Sequence, residues 1–379
     1  MSAVSTAAAS SVTTRDRILL AATLVVAVAA GASAFAGLPS PLVFVLSAVA
    51  LAAMASVVGR SVDGLAGRLG PGATGILQST LGNLPELFVT LFALQAGLFT
   101  VVQATIVGSI LANILLVLGL AFVVGGIRHG VMRFAMGSAQ SIGILLLLSV
   151  AILAIPTLTS ALHTPAAGYE RELSVIVAIV MLLVFGLSVF AQLRPGRLAE
   201  DFDRGRPGAM RTADVESAVG ETGGHAGWPF AFAVVVRAIT GVGAAFVSDW
   251  FVEALTPTMD ALGISEAFAG LVIVAIAGNA VENVVGIQLA AKNQVDYALQ
   301  IILQSPLQVA LLVAPVLVLA APLVGAATFT LVFSPLLLAV LLLGVVLVLF
   351  VVFDGTSNWV EGVILVGLYA CIAAAFWWG

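Results

Sequence analysis

Gly82-Asn83-Leu84-Pro85-Glu86 recurs 196 residues later as Gly278-Asn279-Ala280-Val281-Glu282. The register holds without a gap beyond the pentapeptide: Val89 falls on Val285, Ile106 on Ile302, Ser109 on Ser305, Leu111 on Leu307 and Leu116 on Leu312. Apolar coincidences are cheap in so apolar a chain. The polar ones are not: Gly-Asn-x-x-Glu, then a serine 27 residues after the glycine, in both copies. An acidic motif duplicated inside apolar sequence reads as an internal repeat that carries a buried site.

The surrounding composition sets the solvent. Of 379 residues, 61% are hydrophobic and only 9% charged, with a mean hydropathy of +1.19. A soluble domain carries roughly 25% charged residues, so most of this surface faces lipid. About 20 apolar residues cross a bilayer as a helix. On that rule the chain is an all-α, polytopic membrane protein of about eleven transmembrane helices. The expected spans are 18–36, 41–60, 72–97, 100–126, 135–158, 172–193, 228–252, 265–291, 296–322, 330–352 and 358–378. The single cysteine, Cys371, excludes an intramolecular disulfide and a cysteine cluster; His129, His163 and His225 fall in expected loops, against a histidine metal centre. The uncharged first 14 residues lead into a span of transmembrane length rather than a cleaved signal.

Charge gives the orientation. Counted on alternate sides, Arg15, Arg17, Arg60, Arg68, Arg128, Arg133, Arg194, Arg197, Arg204, Arg206, Arg211 and Lys292 share one face of the membrane. Arg171 stands alone on the other, and Arg237 lies within the seventh span. The positive-inside rule then places the N-terminus and the 194–227 loop in the cytoplasm and the C-terminus outside. That loop mixes arginines with Glu200, Asp201, Asp203, Asp214, Glu216 and Glu221 and reads as a tether. The expected organisation is an extra first helix (1–37), a first half (38–193), the charged linker (194–227) and a second half (228–379). The motif copies lie in spans three and eight, an odd number of crossings apart, so the halves are expected to be inverted repeats.

A carboxylate at the bilayer centre costs about 2.5–3.5 kcal/mol on insertion scales. Glu86 and Glu282 both lie deep in their spans, with no basic residue at helical spacing. One such glutamate could be a protonated structural group; two at matched positions point to function. Asn83 and Asn279, three residues earlier, are expected on the same helical face. Gly82 and Gly278 allow close approach, and Pro85 frees a carbonyl. The result is a cluster of oxygen donors, which suits a hard divalent cation. Ser109 and Ser305 from the following spans are expected to join it, supported by Asn113 and Gln308. Asp249 and Asp63, at span ends, form a second acidic tier, of which Asp249 could feed ions to the site. Two neighbouring carboxyl groups in a low dielectric titrate as a coupled pair. They can therefore hold a divalent ion or protons, which is antiport by alternating access. No resident cofactor is expected, and no nucleophile–base pair for an enzyme. The residues leave the ion pair open: calcium against protons, sodium against protons, calcium against sodium, or a cation channel.

At these residues the chain resembles the cation/proton exchanger branch of the calcium/cation antiporter superfamily. The matching stretches are Gly82–Phe92, Gly108–Asn113, Leu262–Gly270 leading into Gly278–Glu282, and Ser305–Pro315. The resemblance implies an eleven-span inverted repeat that exchanges cytosolic calcium for protons. It implies that the motif glutamates bind the ion, assisted by the asparagines and by the Ser, Asn and Gln of the next helices. Partners are then calcium, protons and the lipid of the cell membrane, with no nucleic acid and a homo-oligomer left open. Three positions depart from the family pattern. Asn283 stands where histidine is usual. Gln304-Ser305-Pro306-Leu307-Gln308 replaces Gly-Ser-Ser-x-Gln. Gln95 and Gln103 are neutral around a connection that is usually basic.

Overall fold

The computed structural model describes residues 12–69, 83–193 and 228–378. Side chains at 62–69, 136, 138, 191–193, 230, 281 and 282 fall outside that description. The described residues are almost wholly helical, because lipid offers backbone N–H and C=O groups no partner and each segment must satisfy its own. In chain order the helices are α1 (Thr14–Phe35), α2 (Ser40–Leu69), α3 (Leu84–Gln95), α4 (Phe99–His129), α5 (Met136–Ala161) and α6 (Glu170–Leu193). The second half holds α7 (Phe230–Leu262), α8 (Glu266–Gly278), α9 (Ala280–Ala291), α10 (Val295–Val324), α11 (Pro335–Val352) and α12 (Trp359–Phe376). Two short strands, β1 (Met132–Arg133) and β2 (Thr356–Ser357), pair antiparallel and clip the α4–α5 connection to the α11–α12 connection.

Nine of the described helices are long and apolar enough to cross a membrane, and α8 with α9, bent by 63°, makes a tenth if the pair is counted as one span. The chain is a multi-pass membrane protein. The third expected span is represented by α3, a 12-residue apolar helix, while its first part at 72–82 lies outside the described residues. The 194–227 linker also lies outside them.

One expectation needs correction. Span eight is not a continuous helix: α8 ends at Gly278 and α9 begins after Asn279 in non-helical backbone (φ −105°, ψ 17°), while α3 begins after Asn83 (φ −85°, ψ 5°), the residues before it lying outside those described. Asparagine and glycine are weak helix formers, and Pro85 in the first turn of α3 lacks the N–H that would continue a helix through it. The helix α2 runs past its apolar window at Ser40–Ser61 to Leu69, so Asp63 lies after the span, in the helix's continuation.

The backbone repeats as the sequence does. Shifting α3 by 196 residues gives α9, end for end. Each is followed by a left-handed residue, Gly97 (φ +78°) and Asn293 (φ +62°), the turn that lets the chain leave one helix and start the next. Leu98 N–H donates to the Ala93 carbonyl and Gln294 N–H to that of Leu289, both at 2.9 Å. The π-helical turn at Ala112–Val117 in α4 has its counterpart at Val309–Val313 in α10.

Burial ranks the helices. In their most apolar windows α4 and α10 are 72% and 61% buried, against 22% for α1 and α6, so α4 and α10 form the interior. Around them, α1, α2 and α7 pack together. Phe44 of α2 stacks on Phe251 of α7 at 4.6 Å, and Val57, later in α2, clusters with Trp228 and Ala233 at the start of α7. The two helices are therefore antiparallel. Arg60 of α2 pairs with Asp16 in the first turn of α1 at 2.8 Å, so the start of α1, the end of α2 and the start of α7 share one end of the bundle.

Candidate ion-binding site

The start of α3 and the α8–α9 break meet in the interior. A Cβ added to Gly278 would stand 3.2 Å from Glu86 Cβ, so the last residue of α8 passes directly over the first turn of α3. Nearby, α4 and α8 cross backbone to backbone. A Cβ at Gly108 would lie 2.3 Å from the Leu271 carbonyl oxygen, and one at Gly270 would lie 2.3 Å from that of Val101. Only glycine permits such approaches, and they bring α4's polar residues onto that meeting point.

Glu86 is 1% exposed and sits in the first turn of α3, where the helix dipole favours a negative group. The Ser109 hydroxyl of α4 donates to Glu86 Oε1. Ser109 Oγ in turn accepts from Asn279 Nδ2 at 3.1 Å. Asn279 also donates to the Ala275 carbonyl at 2.9 Å, which fixes the amide's orientation, and its Oδ1 accepts from the Ser305 hydroxyl at 3.3 Å. On the other side of the break, Asn83 Nδ2 donates to Gln308 Oε1 at 3.0 Å instead of capping α3. Asn113 donates to the Ser109 carbonyl at 2.9 Å. All of these side chains are buried. Both halves of the chain contribute, and the contacts run between them: Ser109 to Asn279, Asn83 to Gln308.

The structure thus brings together Glu86, Asn83, Asn279, Gly278, Ser109, Ser305, Asn113 and Gln308. Each asparagine stands at the position just before its helix rather than inside it, and reaches the site from there. Gly82 and the side chain of Glu282 lie outside the described residues, although the Glu282 backbone falls in the first turn of α9, as Glu86 does in α3. Among the described residues no three His, Cys, Asp or Glu side chains cluster. The groups that do meet, a carboxylate with hydroxyls and amides, are oxygen donors of the kind a hard cation takes.

Asp249 is elsewhere. It lines a cavity of about 360 Å³ with Glu253, Thr256, Gln95 and Phe92, at the far end of α3. Nine residues of helix separate Gln95 from Glu86, about 14 Å at 1.5 Å per residue. Asp63 has its side chain outside the described residues. Of the neutral replacements at the α3–α4 connection, Gln95 faces the Asp249 cavity, while Gln103 donates to the carbonyls of Thr330 and Val332 at 3.0 and 2.8 Å. Thr90, one turn after Glu86, is buried and donates to the Glu86 carbonyl at 2.8 Å, a bond along the helix rather than into the site.

The profile of the sodium/calcium exchanger protein family matches residues 39–194 and 232–378, most of the chain on either side of the linker. The chain belongs to the sodium/calcium exchanger family. Among relatives of this exchanger-family chain, a Ca(2+)/H(+) antiporter of Synechocystis sp. is 33% identical over 344 residues, covering 88% of this chain and 90% of that one. Ca(2+)/H(+) antiporter ChaA of Bacillus subtilis is 33% identical over 339 residues, covering 89% and 92%. Among solved structures, native YfkE superposes with a TM-score of 0.75 at 29% identity, over 95% of this chain and 99% of that one.

Proposed function

We propose that this chain is a calcium/proton antiporter of the cell membrane, exporting cytosolic calcium against inward protons. The observation that carries the proposal is the buried Glu86 at the start of α3, beside the α8–α9 break, ringed by hydroxyl and amide groups from both halves. Relatives at 33% identity over nearly the full length are named Ca(2+)/H(+) antiporters.

Glu86 and Glu282 bind the ion as a carboxylate pair, with Asn83, Asn279, Gly82, Gly278, Ser109 and Ser305 supplying amide, hydroxyl and backbone oxygens. Asn113 and Gln308 hold that set in place. When calcium leaves, the same carboxylates take protons, so the loaded and returning forms carry similar charge across the membrane. Because the network joins groups of the two halves, rocking one half against the other would expose the site to each side in turn. Asp249, in the cavity at the far end of α3, concentrates cations on the outer side. The N-terminus and the linker face the cytoplasm, as the basic residues direct.

Sealed inverted vesicles loaded with a pH-sensitive dye test the proposal. Adding calcium without sodium should release protons from the lumen, and Glu86→Gln or Glu282→Gln should each abolish that release while the protein stays folded and inserted. Proton release that requires sodium would reassign the ion pair. Calcium entry with no proton movement would make the protein a channel.

A further inference from the structure

The charge count leaves Arg237 inside the seventh span, and the ion site makes no use of it. It lies on the stripe of Ala233, Arg237, Thr240 and Ala244 that α7 buries against α2. Arg237 is 9% exposed, and its Nε, Nη1 and Nη2 are buried with no hydrogen-bond acceptor among the described residues. A guanidinium brings five N–H donors and stays charged. In a membrane protein such a group ordinarily pairs with an acid or snorkels to the interface. This one does neither.

One turn before it, Ala233 packs with Val57 of α2 and with Trp228, and the adjacent Val236 joins Leu19 and Leu20 of α1 on the same cluster. Arg237 therefore stands where α1, α2 and α7 come together, near the end of the bundle held by the Asp16–Arg60 pair. That acid is already spent: Oδ1 accepts from Arg60 at 2.8 Å, and Oδ2 from the N–H and the hydroxyl of Thr13 at 2.9 and 2.8 Å. Arg15 and Arg17 of α1 add exposed positive charge at this end. The 33 residues of α7 run about 50 Å, of which the hydrocarbon core takes about 30 Å. Arg237, about 10 Å along from Phe230, comes level with the headgroup boundary. Val234 and Ile239 of α7 and Ile18 of α1 are exposed, the apolar surface that acyl chains cover.

An anion that reaches a guanidinium at this depth, past apolar side chains, has to bring an apolar tail. We propose that Arg237 anchors an anionic phospholipid at the cytoplasmic end of α1, α2 and α7, its phosphate lodged between α1 and α7. Arg60, Arg15 and Arg17 favour a headgroup of net negative charge there. The peripheral wall of the site is α1, whose most apolar window is only 22% buried, so it can stand off α7 far enough to admit a phosphate. The site is independent of which ions the protein exchanges.

The test follows the melting of the full chain in neutral detergent micelles, with phosphatidylglycerol, phosphatidylcholine or inorganic phosphate as the probe. Phosphatidylglycerol should raise the parent's melting temperature saturably, and the other two should not. Arg237→Met keeps an apolar stem and removes the charge. It should raise the half-saturating concentration of phosphatidylglycerol by at least about tenfold, the scale of losing a hydrogen bond to a charged group. Its lipid-free melting temperature should hold or rise, because an unpaired buried charge has gone. Arg237→Lys keeps the charge and should respond to the lipid more nearly as the parent does. If Arg237→Met does not fold, Arg237→Gln takes its place in the comparison. A parental lipid response in the Met or Gln variant would overturn the inference. So would a lipid-free melting temperature that falls as the response is lost, the mark of a structural arginine. Equal stabilisation by phosphatidylcholine would mean acyl contacts alone, and equal stabilisation by inorganic phosphate a soluble-anion site; either result overturns the anionic lipid.

Discussion

Ser109 is the joint of the site, so its hydroxyl is the most informative atom to remove. In the structure it donates to Glu86 and accepts from Asn279, tying a carboxylate of the first half to an amide of the second. Ser109→Ala takes away one oxygen at a fully buried position and leaves a void smaller than a methyl group. The packing cost is small, and the loss is electrostatic. A hydrogen bond to a charged group contributes about 1.5–3 kcal/mol. At about 1.4 kcal/mol per tenfold, its removal should weaken calcium binding by roughly 10- to 150-fold. The Asn279 amide keeps its bond to Ala275, so the break in the second half should hold its shape. Initial rates of calcium uptake into inverted vesicles, measured against calcium concentration, separate the outcomes. The half-saturating concentration should rise by that factor, with the maximal rate falling less. An unchanged half-saturating concentration in a normally inserted variant would refute the reasoning, because Ser109 would then be interhelical glue alone.

Three further outcomes are expected. If protons and calcium compete for the same carboxylates, as proposed, calcium affinity measured by calorimetry should fall as pH falls, tenfold per pH unit for each proton displaced, about 1.4 kcal/mol; a heat independent of buffer and an affinity constant with pH would exclude the exchange. Gly108→Ala drives a Cβ to 2.3 Å from a backbone oxygen of α8 and should cost at least about 1–3 kcal/mol, lowering the melting temperature, whereas Gly241→Ala meets nothing within 4 Å and should not. Replacing residues 205–224 by a Gly/Ser linker of equal length should preserve transport, and loss of exchange in a stably inserted variant would make that loop part of the machinery.

The sequence determined whatever depends on solvent and count. An apolar chain with few charges has to satisfy its backbone within helices, so the all-α, multi-pass class follows from composition. The repeat follows from two polar motifs at one offset, because polar residues are too costly in lipid to recur there by accident. The same cost marked Glu86, Asn83, Asn279, Ser109 and Ser305 as residues of one site before any fold was in view. Sequence could not show that Asn279 sits at a helix break, because periodicity treats an apolar run with one glycine and one asparagine as a continuous helix. Whether such a run bends depends on what passes beside it, here Gly278 over Glu86. Nor could spacing separate Asp249 from the site. A lone acid near a span end looks the same whether it faces the ion or a cavity about 14 Å along α3. That distinction, and the pairing of Asn83 with Gln308 from the opposite half, belongs to tertiary structure. Contacts between residues 225 positions apart are set by how helices cross, which no local pattern encodes.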